Sequence, residues 1–88
     1  VSGAEYLASL DVMAVGADTW GVEVLPFENK NIMYPIHQNL ITKRGIYLLE
    51  NMDTRELAKD GATEFMFILG PARITGAVQM IINPIAIR

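Results

Sequence analysis

The sequence predicts a mixed α/β fold, and three observations carry that expectation. Short apolar runs of strand length, Val12–Val15, Ile46–Leu49 and Phe65–Gly70, recur along the chain. Between them lie segments with helix punctuation: Ser2 with Glu5 and Asp53 with Glu56 at capping-box spacing, and Pro35 and Gly45 bracketing a third. Because strand-like and helix-like segments interleave, the sheet is expected to be mixed or partly parallel.

Each element has a local reason. The Ser2/Glu5 pattern and the stripe Tyr6, Leu7 and Leu10 predict a short amphipathic helix ending near Leu10. Val12–Val15, closed by Gly16, reads as a buried strand. Residues 17–31 hold Asp18, Trp20, Gly21, Pro26 and two asparagines and read as a long loop with extended pieces, a length that is often functional in a compact domain. Pro35 suits a first helical turn, Ile36, Leu40 and Ile41 form the apolar stripe, and His37 lies beside it. Lys43 and Arg44 suit the negative end of that helix dipole, and Gly45 suits the position just past it. Ile46–Leu49 is a second buried strand running straight into Glu50 and Asn51. Asp53 and Glu56 open a helix that stops at Gly61, Glu64–Leu69 is a strand, and Gly70-Pro71 turns the chain. Residues 73–74, 80–82 and 85–87 read as further strands, with Pro84 at an edge or bulge.

At 88 residues the chain is one domain at most, and 51% of it is apolar. A domain this small buries only roughly 60–65% of the surface its unfolded chain exposes. The apolar content fits a well-packed α/β domain or, the sharper reading, faces that expect further protein to cover them. A net charge of −3 without a basic stripe argues against nucleic-acid binding. No apolar run reaches the ~18–20 residues of a membrane span. The lack of cysteine excludes disulfides and thiolate metal sites and suits a reducing compartment, so a cytoplasmic location is expected. The chain opens with Val and then S-G-A-E-Y-L, which is not a signal-peptide pattern. The expectation is a piece cut from something longer, with simple removal of an initiator Met as the alternative.

Two residues stand out chemically. His37 is the only histidine, and a lone helical histidine is more often structural than catalytic. A zinc or manganese site takes three or four protein ligands, which one histidine cannot supply. Glu50 follows four apolar residues at the end of a strand, where a carboxylate is costly unless paired or metal-bound, and where open α/β sheets place their sites. A salt bridge or a solvated edge is the plainer reading of Glu50. Helix followed by strand would bring His37 and Glu50 together, and a nitrogen and an oxygen donor suit zinc or manganese. The pair is half a site. Trp20, after Asp18 and Thr19, would hold a flat substrate ring or plug the core. Asn51 would orient Glu50, and Gln38 would face the pocket of His37. Arg73 and Arg88 read as surface or dimer-contact groups, and the five methionines as core. There is no glycine-rich phosphate loop, serine elbow or paired-carboxylate glycosidase pattern.

These residues in this order resemble the C-terminal portion of the cyclase family of metal hydrolases, through nearly the whole chain. The likeness runs from the helix 4–10 to V-G-A-D-T at Val15–Thr19, P-I-H-Q at Pro35–Gln38, G-I-Y-L-L-E-N at Gly45–Asn51 and N-P-I-A-I-R at Asn83–Arg88. Each piece is short; the ordered set, with the His-to-Glu spacing, is the specific part. T-W-G-V-E-V at Thr19–Val24 and L-L-E-N-M-D-T at Leu48–Thr54 look most like the isatin hydrolase branch. The ending Ile82-Asn83-Pro84-Ile85 departs from the usual G-S-P-V-R-type turn.

The resemblance implies that residues 1–88 are the C-terminal segment of one hydrolase domain. Its fold would have a β-barrel-like mixed sheet flanked by helices, in a homodimer. It implies a manganese site, or alternatively zinc, whose main ligands come from an H-x-G-T-H-x-D motif that precedes this region and is absent from it. By position, His37 and Glu50 match the family's later metal-site histidine and glutamate, as ligands or as neighbours holding water or substrate, with Gln38 helping and Trp20 lining an aromatic pocket. The implied activity is hydrolysis of a cyclic aromatic amide, isatin to isatinate in type. An arylformamidase and a non-catalytic fragment that only binds or dimerises are the alternatives.

Overall fold

In the computed structural model, which describes all residues from Val1 to Arg88, the chain divides into two units, Val1–Thr54 and Arg55–Arg88. Both mix helix and strand, as the interleaved pattern predicts, and each holds one two-stranded sheet. Neither sheet closes into a barrel. No helix is long and apolar enough to cross a membrane.

The first unit opens with α1, Ser2–Ser9, ending close to the predicted Leu10. The predicted capping box does not form. Val1 is the N-cap, its carbonyl accepting the Glu5 N–H at 3.1 Å, so Ser2 already lies within the helix and Glu5 is free to reach elsewhere. The inward face also differs from the predicted stripe. Ala4 is buried and Ala8 packs against the core, whereas Tyr6 and Leu10 are exposed. Small side chains one turn apart let the helix axis come close to its neighbours.

β1, Ala14–Gly16, pairs in parallel with β2, Tyr47–Leu49, in the register Ala14 with Tyr47, Val15 with Leu48 and Gly16 with Leu49. A parallel pair needs a crossover, and here it comprises the long loop and a helical segment. That segment starts as α2, Pro35–His37, with Pro35 in the first turn as its missing N–H allows. It continues as a π-helical turn, Gln38–Thr42, in which the Lys43 N–H bonds the Gln38 carbonyl in the i→i+5 pattern. Gly45, at φ +68°, turns the chain out, donating its N–H to the Ile41 carbonyl at 2.9 Å. A β-carbon would disfavour that left-handed backbone.

The π-turn changes which residues face inward. Ile36 and Leu40 are buried as predicted, but Ile41 is exposed and Asn39 is buried in its stead. The wider winding shifts every later side chain around the axis, a change no α-helical period can anticipate. The Asn39 amide donates to Glu5, the Arg44 guanidinium donates to the Asn39 oxygen, and Arg44 also pairs with Glu5 at 2.6 Å. Around this polar triad the core is Ala4, Ile36, Leu40 and Ile46, with Val12, Val15, Val22 and Leu48 packed against it.

The second unit contains α3, Arg55–Lys59, with Glu56 in its first turn and Lys59 in its last, each at the dipole end that favours it. Gly61, at φ +62°, follows the predicted stop. β3, Met66–Ile68, pairs antiparallel with β4, Ile85–Ile87, and Pro84 sits just before β4, where no ladder bond is lost. Residues 73–74 and 80–82 are not strands. They have no ladder partner, a turn intervenes at Gly76, and Ile74 and Ile81 stand exposed. Arg88 forms an ion pair with Asp60. None of residues 55–88 is buried.

Two outcomes follow. Leu40 is 0% exposed, so Leu40→Ala should lower unfolding stability by about 2–5 kcal/mol, read from urea denaturation; a loss below 1 kcal/mol, on the order of a surface change, would contradict this core. The Asn39 hydrogen bond and then the Arg44 charge hold the Glu5 carboxyl below its ordinary value. A lowered folded value gives stability that is full above the ordinary carboxylate range and lost as pH falls through the lowered value. Glu5→Gln should therefore flatten part of the acid limb of the stability-pH curve, and an unchanged limb would mean Glu5 is not coupled to folding.

Candidate functional site

Parallel pairing puts the C-terminal ends of β1 and β2 side by side, so the segments leaving them run together. The Ala17 N–H donates to the Leu49 carbonyl at 2.9 Å, the Asn51 N–H to the Thr19 carbonyl at 2.8 Å, and the Met52 N–H to the Ala17 carbonyl at 3.0 Å. Asn51 makes its turn at φ +53°, and Thr19 Oγ1 donates to the Gly21 carbonyl at 3.0 Å. These bonds clamp residues 17–21 against residues 49–52. Glu50, first past β2, then accepts the Val22 N–H on Oε1 at 2.9 Å. A Cβ on Gly21 would lie 3.9 Å from that same oxygen, an ordinary contact.

The helical segment brings His37 to the same place. His37 Nε2 lies 3.3 Å from Glu50 Oε1, and Nδ1 lies 2.9 Å from Glu23 Oε1. Glu23 Oε1 also accepts the His37 backbone N–H at 2.9 Å. The imidazole thus stands between two carboxylates. The Glu23 side chain is only 2% exposed, whereas those of His37 and Glu50 are 30% and 28% exposed. Tyr34 sets its ring edge-on to the imidazole at 5.6 Å and 74°, and Phe27 backs Tyr34 at 5.4 Å.

The other predicted site residues are placed differently. Trp20 is on the clamped loop, two residues before Val22, but its side chain is largely outside the core at 64% exposure. The Gln38 amide donates to the Met33 carbonyl at 2.6 Å and so braces the junction of loop and helix. Asn51 reaches the neighbouring loop through its backbone. Glu23 is the residue that sequence reasoning assigns no role. It lies in a predicted loop, within the quoted T-W-G-V-E-V, and its only local signal is a carboxylate flanked by two valines, one of which, Val22, packs on the core.

A divalent ion can be tested against this donor set. Ligands at the usual Zn–N and Zn–O lengths on a tetrahedral ion lie about 3.4 Å apart. The 3.3 Å between His37 Nε2 and Glu50 Oε1 fits two neighbouring ligand positions. No group of three or more His, Asp or Glu side chains in the chain is arranged to hold a metal. No protein-family model matches the chain, nor does any curated protein or solved structure.

The hydrogen bond from Val22 to Glu50 gives a direct check. Glu50→Ala should expose the Val22 amide to faster hydrogen exchange while the amides of Leu40 and Ile46 keep their protection. Unchanged exchange at Val22 would show that Glu50 does not hold this loop.

Proposed function

We propose that the chain is the C-terminal segment of a metal-dependent amide hydrolase of the cyclase family, nearest the isatin hydrolase branch. The observation that carries this reading is the pairing of His37 Nε2 with Glu50 Oε1 at ligand-ligand distance, at the ends of two parallel strands. Sites at the carboxyl ends of parallel strands are the rule in open α/β sheets. The ordered resemblance described above supplies the family. The barrel-like sheet and the homodimer belong to the same proposal: a two-stranded sheet with open edges and a unit with no buried residue are what a segment of a larger sheet would present.

In this reading His37 and Glu50 hold manganese, or alternatively zinc, together with ligands from the H-x-G-T-H-x-D motif of a preceding region. The bound ion would supply Lewis acidity, acidifying water and polarising the amide carbonyl. Glu50 Oε1 is engaged by the Val22 N–H, which leaves Oε2 the freer oxygen to take a proton from water and return it to the leaving nitrogen. Trp20, exposed on the clamped loop, would lie against an aromatic ring of the substrate. Gln38, with its amide nitrogen committed to Met33, would offer only its oxygen.

The test is an assay of the parent protein with manganese or zinc supplied. Isatin should be opened to its carboxylate, and His37→Ala and Glu50→Ala should each lower kcat/KM by about 10²–10⁴-fold. Residues 1–88 alone should be inactive. Cleavage of an N-formyl aromatic amine in preference to isatin would move the assignment to arylformamidase, and no amide hydrolysis with either metal would overturn the hydrolase reading.

A further inference from the structure

We infer that Glu23 is the positioning residue of this site: in the neutral His37 imidazole it keeps the one N–H on Nδ1 and so leaves the lone pair on Nε2, facing Glu50. What Nε2 is then used for rests on the hydrolase reading; the state of the ring does not.

The argument starts from cost. A carboxylate with a 2% exposed side chain has given up its water, and Glu23 Oε2 is buried without any hydrogen-bond partner. Both polar contacts to Oε1 come from His37: the backbone N–H donates to it at 2.9 Å, and ring Nδ1 lies 2.9 Å from it. Glu23 thereby fixes His37 at two points, one on the main chain and one on the ring. Tyr34, edge-on to the same ring, opposes its rotation.

A neutral imidazole carries one N–H. With that proton on Nε2, the Nδ1 lone pair would face the Glu23 oxygen at 2.9 Å in a buried place that water does not reach. With the proton on Nδ1, the unfavourable encounter moves to the other side, between the Nε2 lone pair and Glu50 Oε1. That side is longer, at 3.3 Å, and partly open to solvent, so each acceptor can be solvated from the open side or the two can share a cation. The buried repulsion costs more than the solvated one, and the Nδ1–H form wins. A carboxylate on the far nitrogen of a histidine whose near nitrogen faces a second oxygen donor is also the arrangement that orients metal-binding imidazoles.

Nitrogen-15 NMR of His37 in the metal-free chain, read on the alkaline plateau of its ring shifts where the imidazole is neutral, decides the matter without an activity assay. Nδ1 should show the shift of a protonated nitrogen and Nε2 that of an unprotonated one. Glu23→Met, which removes both oxygens at similar volume, should move the proton to Nε2. Glu23→Gln, which keeps a carbonyl acceptor, should retain the Nδ1–H form. Methyl resonances of Leu40 and Ile46 report whether each variant is folded. If Glu23→Met unfolds, the parent chain and Glu23→Gln decide alone. A proton on Nε2 or an even mixture in the parent chain would overturn the inference, as would an unchanged tautomer in folded Glu23→Met. Zinc added to the parent protein, which would carry the H-x-G-T-H-x-D motif, separates the two readings. Movement of Nε2 with Nδ1 still protonated supports both. An Nδ1–H ring that ignores zinc upholds Glu23 while removing His37 from the metal.

Discussion

The parallel pairing of β1 with β2 is the constraint on which the first unit depends. Two parallel strands cannot be joined by a tight turn, so the chain between them must cross over, and it does so with a long loop and a helical segment. The loop leaves from the end of β1 and the helical segment returns before β2, which forces Glu23 and His37 toward the residues that follow β2. The hydrogen bonds from Ala17, Asn51 and Met52 then lock the two strand exits together. Glu50 is held where it is by strand register, and one step in that register would turn its side chain to the opposite face.

Much of this was legible in the residues, because it rested on local chemistry. Pro35 and Gly45 mark the two ends of the helical segment, and the apolar runs mark β1, β2, β3 and β4. The meeting of His37 and Glu50 followed from helix before strand. What the sequence hid depends on tertiary partners. The π-turn is a choice of winding that puts Asn39 inside and Ile41 outside. Residues 80–82 have strand-forming side chains, yet a strand exists only where another offers a ladder. Glu23 was hidden for a related reason: a glutamate in a loop is ordinarily solvated, and only the arrival of His37 from the next element makes this one a buried partner.

The two units differ in how far their residues satisfy one another. The first has a core centred on Leu40, with its buried polar groups largely paired. The second has regular elements but no buried residue, and Val78 and Ile81 are almost wholly in solvent. Large exposed apolar patches of this kind are uncommon on monomeric domains.

The triad of Glu5, Asn39 and Arg44 has a further consequence. Leucine, isoleucine and valine interchange across a core at modest cost, so an all-apolar seam between α1 and the π-turn would tolerate sliding or rotation. An amide buried in that seam does not, since any displacement strands it without partners. Asn39 therefore acts as an indexing pin between the first helix and the crossover: it selects one alignment among several of similar apolar content. Because His37 lies on the same helical segment, the pin also fixes the angular setting from which the imidazole enters its gap between two carboxylates.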